Sequence, residues 1–78
     1  MNIKVLGTGC KSCKGLYEVV LEVVSTLDKE INIDYINDLN KIMEYGIMDI
    51  PAMIINDKIV STGRMLTNKQ VEELINSN

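Results

Sequence analysis

The 78-residue sequence contains no histidine, no tryptophan and no phenylalanine, only one proline and only two cysteines. Without Phe or Trp, and with three Tyr, its core has to be aliphatic, built from Ile, Val, Leu and Met. Those residues favour strands as well as helices, and 46% apolar content argues against disorder. Without histidine, imidazole is missing from the available metal ligands. Positive charge is scarce too. Eight Lys and Arg stand against eleven Asp and Glu, with no basic run longer than two, which argues against nucleic acid as a partner. No membrane span is visible, since the apolar stretch over residues 19–24 is broken by Glu22. The opening residues reach Gly7 too soon for the apolar region of a signal sequence, so a cytoplasmic location is expected.

The length fits one domain, residues 1–78. At 8.8 kDa, area scaling gives roughly 4,800 Å² folded against about 12,800 Å² unfolded, enough to bury a small core. Residues 2–6 place Ile3 and Val5 on one face and Lys4 and Leu6 on the other, a short strand that ends at Gly7-Thr8-Gly9. Over residues 12–27, Leu16, Tyr17, Val20, Leu21, Val24 and Leu27 recur at helical steps, with Glu18, Glu22 and Ser25 on the wetter side. Residues 31–36 alternate with Ile31, Ile33 and Tyr35 inward, as an edge strand would.

Asn37 or Asp38 then caps a short helix carrying Leu39, Ile42, Met43 and Tyr45 and stopped by Gly46. Pro51 opens the unbroken apolar run Ala52-Met53-Ile54-Ile55, which reads as a strand buried on both faces. Asn56-Asp57 suits a two-residue hairpin turn into residues 58–61, and Thr62-Gly63 closes that strand. Thr67 and Gln70 form a capping box ahead of Val71, Leu74 and Ile75, the buried stripe of a last helix. The methionines Met43, Met48, Met53 and Met65 are expected mainly to fill the core, with Met48 and Met65 in loops that flank the expected site. The predicted fold is therefore α/β, with the order βαβαββα and a four-stranded mixed sheet flanked by three helices.

Cys10-Lys11-Ser12-Cys13 is the one constellation with evident chemistry. At the start of a helix, residues three apart have Cα atoms about 5 Å apart, within disulfide range. Free amides and the positive end of the helix dipole favour a thiolate at Cys10 and lower its pKa, with Lys11 and Lys14 adding positive charge nearby. Cys10 at the exposed tip would attack a substrate disulfide, and Cys13, one turn deeper, would resolve the mixed disulfide.

Three other readings use the same two thiols. A structural disulfide over so short a loop would restrict the unfolded chain little. Zinc would need a dimer sharing four cysteines. A Cu(I)-binding module of the heavy-metal-associated type also has such a loop after its first strand, but that fold continues strand-helix-strand-strand-helix-strand and ends in a strand. A non-catalytic adaptor of the same fold would show neither redox exchange nor metal binding.

Cys10 and Cys13 after the first strand, Ile50-Pro51 before the third, the Asn56-Asp57 hairpin and Gly63 after the fourth together resemble the thioredoxin superfamily. The likeness is to its minimal, glutaredoxin-sized form, the "redox-active disulfide" proteins of archaea and anaerobic bacteria, and it spans the whole chain. It implies a cis peptide bond at Pro51, and a backbone at Ile50 that pairs with an extended substrate segment. In such a site Gly9, Lys11 and Ser12 border the substrate, and Gly63 lets backbone approach the sulfurs.

The resemblance further implies protein disulfides as substrates, no bound cofactor, a flavin-dependent thioredoxin-reductase-like electron donor and a monomer. Several positions depart from the family pattern. Gly9 replaces the aromatic residue before the first cysteine, Lys11-Ser12 replaces Gly-Pro, and the first strand has Lys4 but no buried acid.

Overall fold

In the computed structural model, which describes all 78 residues, the first strand, β1 (Asn2–Leu6), sorts its side chains as the alternation predicts. Ile3 and Val5 face one side of the sheet, while Lys4 and Leu6 face the other. The chain continues through α1 (Lys11–Ser25), β2 (Asn32–Ile36), α2 (Leu39–Glu44), β3 (Ala52–Ile55), β4 (Lys58–Thr62) and α3 (Asn68–Ser77). The sheet order is β2-β1-β3-β4. β2 runs parallel to β1, and β3 runs antiparallel to both β1 and β4, a mixed four-stranded sheet with three helices. The accessible surface is 4855 Å², in line with the area scaling.

All four residues of β3 are buried, as expected of a continuous apolar strand in an interior position. Met53 and Ile55 join Ile3 and Val5 beneath α1 and α3, and Ala52 and Ile54 join Leu6, Ile42 and Ile47 on the α2 side. Asn56 and Asp57 take φ of 48° and 66°, the left-handed pair of a type I′ turn. The turn is tied to β1, because the Asn2 amide donates to Asn56 Oδ1 at 2.9 Å and the Asn56 amide donates to the Asn2 carbonyl at 2.8 Å. The helix starts fall where capping chemistry put them. Asp38 caps α2 through Oδ1 to the Asn40 amide, and Thr67 with Gln70 completes the capping box of α3.

Two details correct the periodicity. In α1 the buried stripe is Cys13, Leu16, Val20 and Val23, whereas Leu21 is exposed and Leu27 lies beyond the helix. In so valine-rich a run, two neighbouring stripes fit helical spacing equally well, and the position of α3 selects between them. The methionines also divide. Met53 is fully buried, but Met43, Met48 and Met65 are exposed by 64%, 95% and 47%, because Ile, Val and Leu already fill the core. The chain ends in a helix and its second strand is followed by α2, unlike the element order of the heavy-metal-associated domains.

Candidate active site

The register of the sheet lines up its reactive end. The Gly7 amide donates to the Ile36 carbonyl at 3.0 Å, continuing the β1–β2 ladder by one residue. On the other side Leu6 stands opposite Ala52, which brings Pro51 level with the point where β1 releases the chain into residues 7–9. The Gly63 amide then donates to the Pro51 carbonyl at 2.8 Å, so Gly7, Pro51 and Gly63 form one row across the sheet end. The Ile50–Pro51 peptide bond is cis, Pro51 is buried and Ile50 is half-buried.

Gly9, with φ +83°, turns the chain into α1, and Cys10 becomes its N-cap in extended backbone conformation. The Cys13 amide donates to Cys10 Sγ at 3.1 Å, and the Lys14 amide donates to the Cys10 carbonyl at 2.9 Å as the first helical bond. The N-terminal amides of a helix have no intrahelical acceptor, so a sulfur at the cap meets both a donor and the positive end of the dipole. That environment favours negative charge on Cys10 when the sulfur is reduced.

The two cysteines are joined as a disulfide with Cα atoms 5.0 Å apart. Their surroundings are unlike. Cys10 is exposed and flanked by the exposed Lys11 and Ser12, whereas Cys13 is 0% exposed.

Two residues outside the sequence-predicted site, Gly7 and Tyr35, border the cysteine loop. A Cβ on Gly7 would lie 2.5 Å from Cys13 Cβ and 2.7 Å from its Sγ, so glycine is what lets β1 pass the inner sulfur. The same point is 3.1 Å from the hydroxyl of Tyr35, which accepts a hydrogen bond from the Gly9 amide at 3.0 Å. Tyr35 stands opposite Val5 in the β1–β2 register, and its ring packs on Tyr17 of α1 with centroids 5.0 Å apart. The inward position of Tyr35 on its strand was legible, but its proximity to the cysteine loop depends on the parallel register.

Gly63 has φ +68°, and a Cβ there would come within 2.9 Å of Asp49 Cβ. Its close approach is to the segment before Pro51. Met65 lies over the first turns of α1, with Cε 3.0 Å from the Cβ position of Gly15. Lys4 points away from the cysteines. It donates to the Tyr45 hydroxyl at 2.9 Å and pairs with Asp57 at 3.7 Å on the α2 side. No group of three or more His, Cys, Asp or Glu is placed to hold a metal ion.

The thioredoxin domain family model matches residues 1–76. The chain belongs to the thioredoxin domain family. A thioredoxin of Methanothermobacter thermautotrophicus is 24% identical over 75 residues, covering 96% of this chain and 97% of that protein. A thioredoxin of Methanocaldococcus jannaschii is 31% identical over 75 residues, covering 96% of this chain and 86% of its own length. A second from the same organism is 32% identical over 68 residues, covering 83% and 80%. Thioredoxin-family membership and the Cys10–Cys13 disulfide together give the chain a thiol–disulfide redox role. No helix is long and apolar enough to cross a membrane.

Proposed function

We propose that the chain, acting as one thioredoxin-like domain, is an oxidoreductase that exchanges disulfides with other proteins. The supporting observation is the unequal exposure of the two sulfurs, one at the surface on a helix cap and one sealed a turn deeper. Cys10 is the nucleophile. As thiolate it attacks one sulfur of the substrate disulfide, the first substrate thiolate leaves, and a mixed disulfide remains. Cys13 then attacks Cys10 Sγ, which closes the intramolecular bond and expels the second substrate thiolate. Two electrons pass from the dithiol to the substrate, and the reverse sequence oxidises a substrate dithiol.

The backbone of Ile50, beside Pro51, presents a short edge along which an extended substrate segment adds as a strand. Gly9, Lys11 and Ser12 border this edge on the α1 side, and Gly63 holds it from β4 through the Pro51 carbonyl. The electrons reside on the two sulfurs, so no bound cofactor enters the cycle. A flavin-dependent reductase of the thioredoxin-reductase type recharges the dithiol. The reading takes the protein as a cytoplasmic monomer that needs neither nucleic acid nor membrane.

Insulin-disulfide reduction with a dithiol or reductase as electron source tests the assignment. Cys10→Ser is expected to abolish turnover, and Cys13→Ser to accumulate mixed disulfides with protein substrates. Turnover that survives in Cys10→Ser removes Cys10 as the nucleophile.

A further inference from the structure

The resolving step asks for a negative charge on Cys13, a side chain with 0% exposure. Burial disfavours a thiolate there unless a donor faces the sulfur. The only ionisable side chain on β1, Lys4, is committed to Tyr45 and Asp57 on the opposite face of the sheet. The side-chain hydroxyl found on the same side of Gly7 as the inner sulfur is that of Tyr35. Both Tyr35 Oη and Cys13 Sγ crowd the single point beside Gly7 where a Cβ would be, at 3.1 and 2.7 Å. Tyr35 Oη accepts the Gly9 amide, which fixes the oxygen at the mouth of the cysteine loop and uses an acceptor site of the hydroxyl, not its O–H donor. The Tyr17 ring, tilted against that of Tyr35 with centroids 5.0 Å apart, supports the phenol from the α1 side.

We propose that Tyr35, held by the Gly9 amide, donates a hydrogen bond to Cys13 Sγ once the disulfide is open and stabilises the thiolate that resolves the mixed disulfide. This rests on the oxidoreductase reading above. The proton balance closes without a buried acid. The first substrate thiolate, released in the attack by Cys10, takes the proton from Cys13. Cys13 then attacks Cys10 Sγ, the bond from Cys10 to the substrate breaks, and the second substrate thiolate leaves with the electron pair. Tyr35 keeps its proton throughout and acts by donation alone.

Tyr35→Phe retains the ring on Tyr17 and removes only the hydroxyl. A hydrogen bond to a charged sulfur is strong enough to shift its titration by about one pH unit. In a Cys10→Ser background, adding Tyr35→Phe should therefore raise the titration of the Cys13 thiolate absorbance by about one unit. With both cysteines present, second-phase thiol release from a small chromogenic disulfide should slow about threefold at neutral pH. A tenfold loss of thiolate is partly offset by the greater nucleophilicity of a more basic sulfur. The pH profile of that phase should move upward with the titration.

An unmoved Cys13 titration in folded Tyr35→Phe overturns the proposal, even if stability falls through the lost Gly9 contact. Should Tyr35→Phe not fold, fluorotyrosine placed at position 35 keeps the ring and strengthens the donor. It must then lower the Cys13 titration, and no movement overturns the proposal. Absence of thiol release from the wild type strikes the oxidoreductase reading itself, while the titration in Cys10→Ser still decides the role of Tyr35.

Discussion

The sheet face beneath α1 and α3 and the face beneath α2 are built from the same alternation in β1 and β3, yet they close to different degrees. On the first, ten buried residues from β1, β3, the two helices and the Leu66 approach to α3 form one cluster that extends up to the turn bearing Cys13. On the second, a six-residue helix contributes one buried side chain, Ile42, to a cluster of five. Leu39 and Met43 of that helix are mostly exposed. An open groove of about 730 Å³ lies between α2 and the β1–β2 strands, lined by Lys4, Asp34, Lys41 and Tyr45 among others. A charged residue at the middle of β1 is tolerated there because Tyr45 and Asp57 meet its ammonium. The chemistry is attached to the closed face. The inner sulfur is buried, while the outer cysteine is exposed at the rim.

The largest expected effect contrasts the two faces directly. Leu16→Ala should cost about 3 kcal/mol, because the closed cluster has little room to collapse around the cavity. Ile42→Ala should cost nearer ~2 kcal/mol, since α2 borders the open groove and can settle inward. Urea denaturation midpoints at constant slope measure both, and equal losses would mean that the faces are packed alike.

Gly7→Ala probes how far the close packing reaches toward the chemistry. A methyl 2.7 Å from Cys13 Sγ has to displace the inner sulfur or the end of β1. We expect about 2 kcal/mol of destabilisation together with slower closure of the Cys10–Cys13 bond. A variant with wild-type stability and wild-type closure would show that the loop gives way freely.

The smallest effect belongs to the open face. The Tyr45 hydroxyl, first by its hydrogen bond and then by its charge, raises the Lys4 pKa above its ordinary value of 10.5, with Asp57 and Asp34 adding to the same direction against partial desolvation. A raised value means that the fold favours the ammonium. The contribution is therefore fully present below about pH 10.5 and is lost as pH climbs through the higher folded value. Stability followed from about pH 9 to about pH 11 should fall slightly more in the wild type than in Lys4→Met. Parallel curves would mean that the Lys4 contacts contribute nothing to folding.

Much of the fold was legible because its signals are local. The capping box at Thr67, the Asn56-Asp57 turn and the unbroken run of β3 each depend on residues within a few positions of one another. The placement of the cysteine pair at a helix start was equally readable, since it follows a glycine-rich loop and precedes a helical stripe. The misjudged features involve partners distant in the chain. Leu21 satisfies helical spacing but lies outside the face that α3 covers, and Met43 and Met48 are apolar residues for which the core had no remaining space. Gly63 needs its glycine for a left-handed turn and for Asp49, which follows from how the segment before Pro51 meets the end of β4.

The order of elements, the placement of a dithiol at a helix start and the aliphatic character of the core came from sequence alone, because periodicity, caps and turn chemistry act over a few residues. Why Gly7 must lack a side chain, and that Tyr35 reaches the cysteine loop from another strand, were settled by tertiary structure. Those facts depend on parallel pairing of β1 with β2, whose register sets Asn2 opposite Asn32, and on the lateral position of α1 over the sheet. Close packing fixes both only once the whole core has assembled.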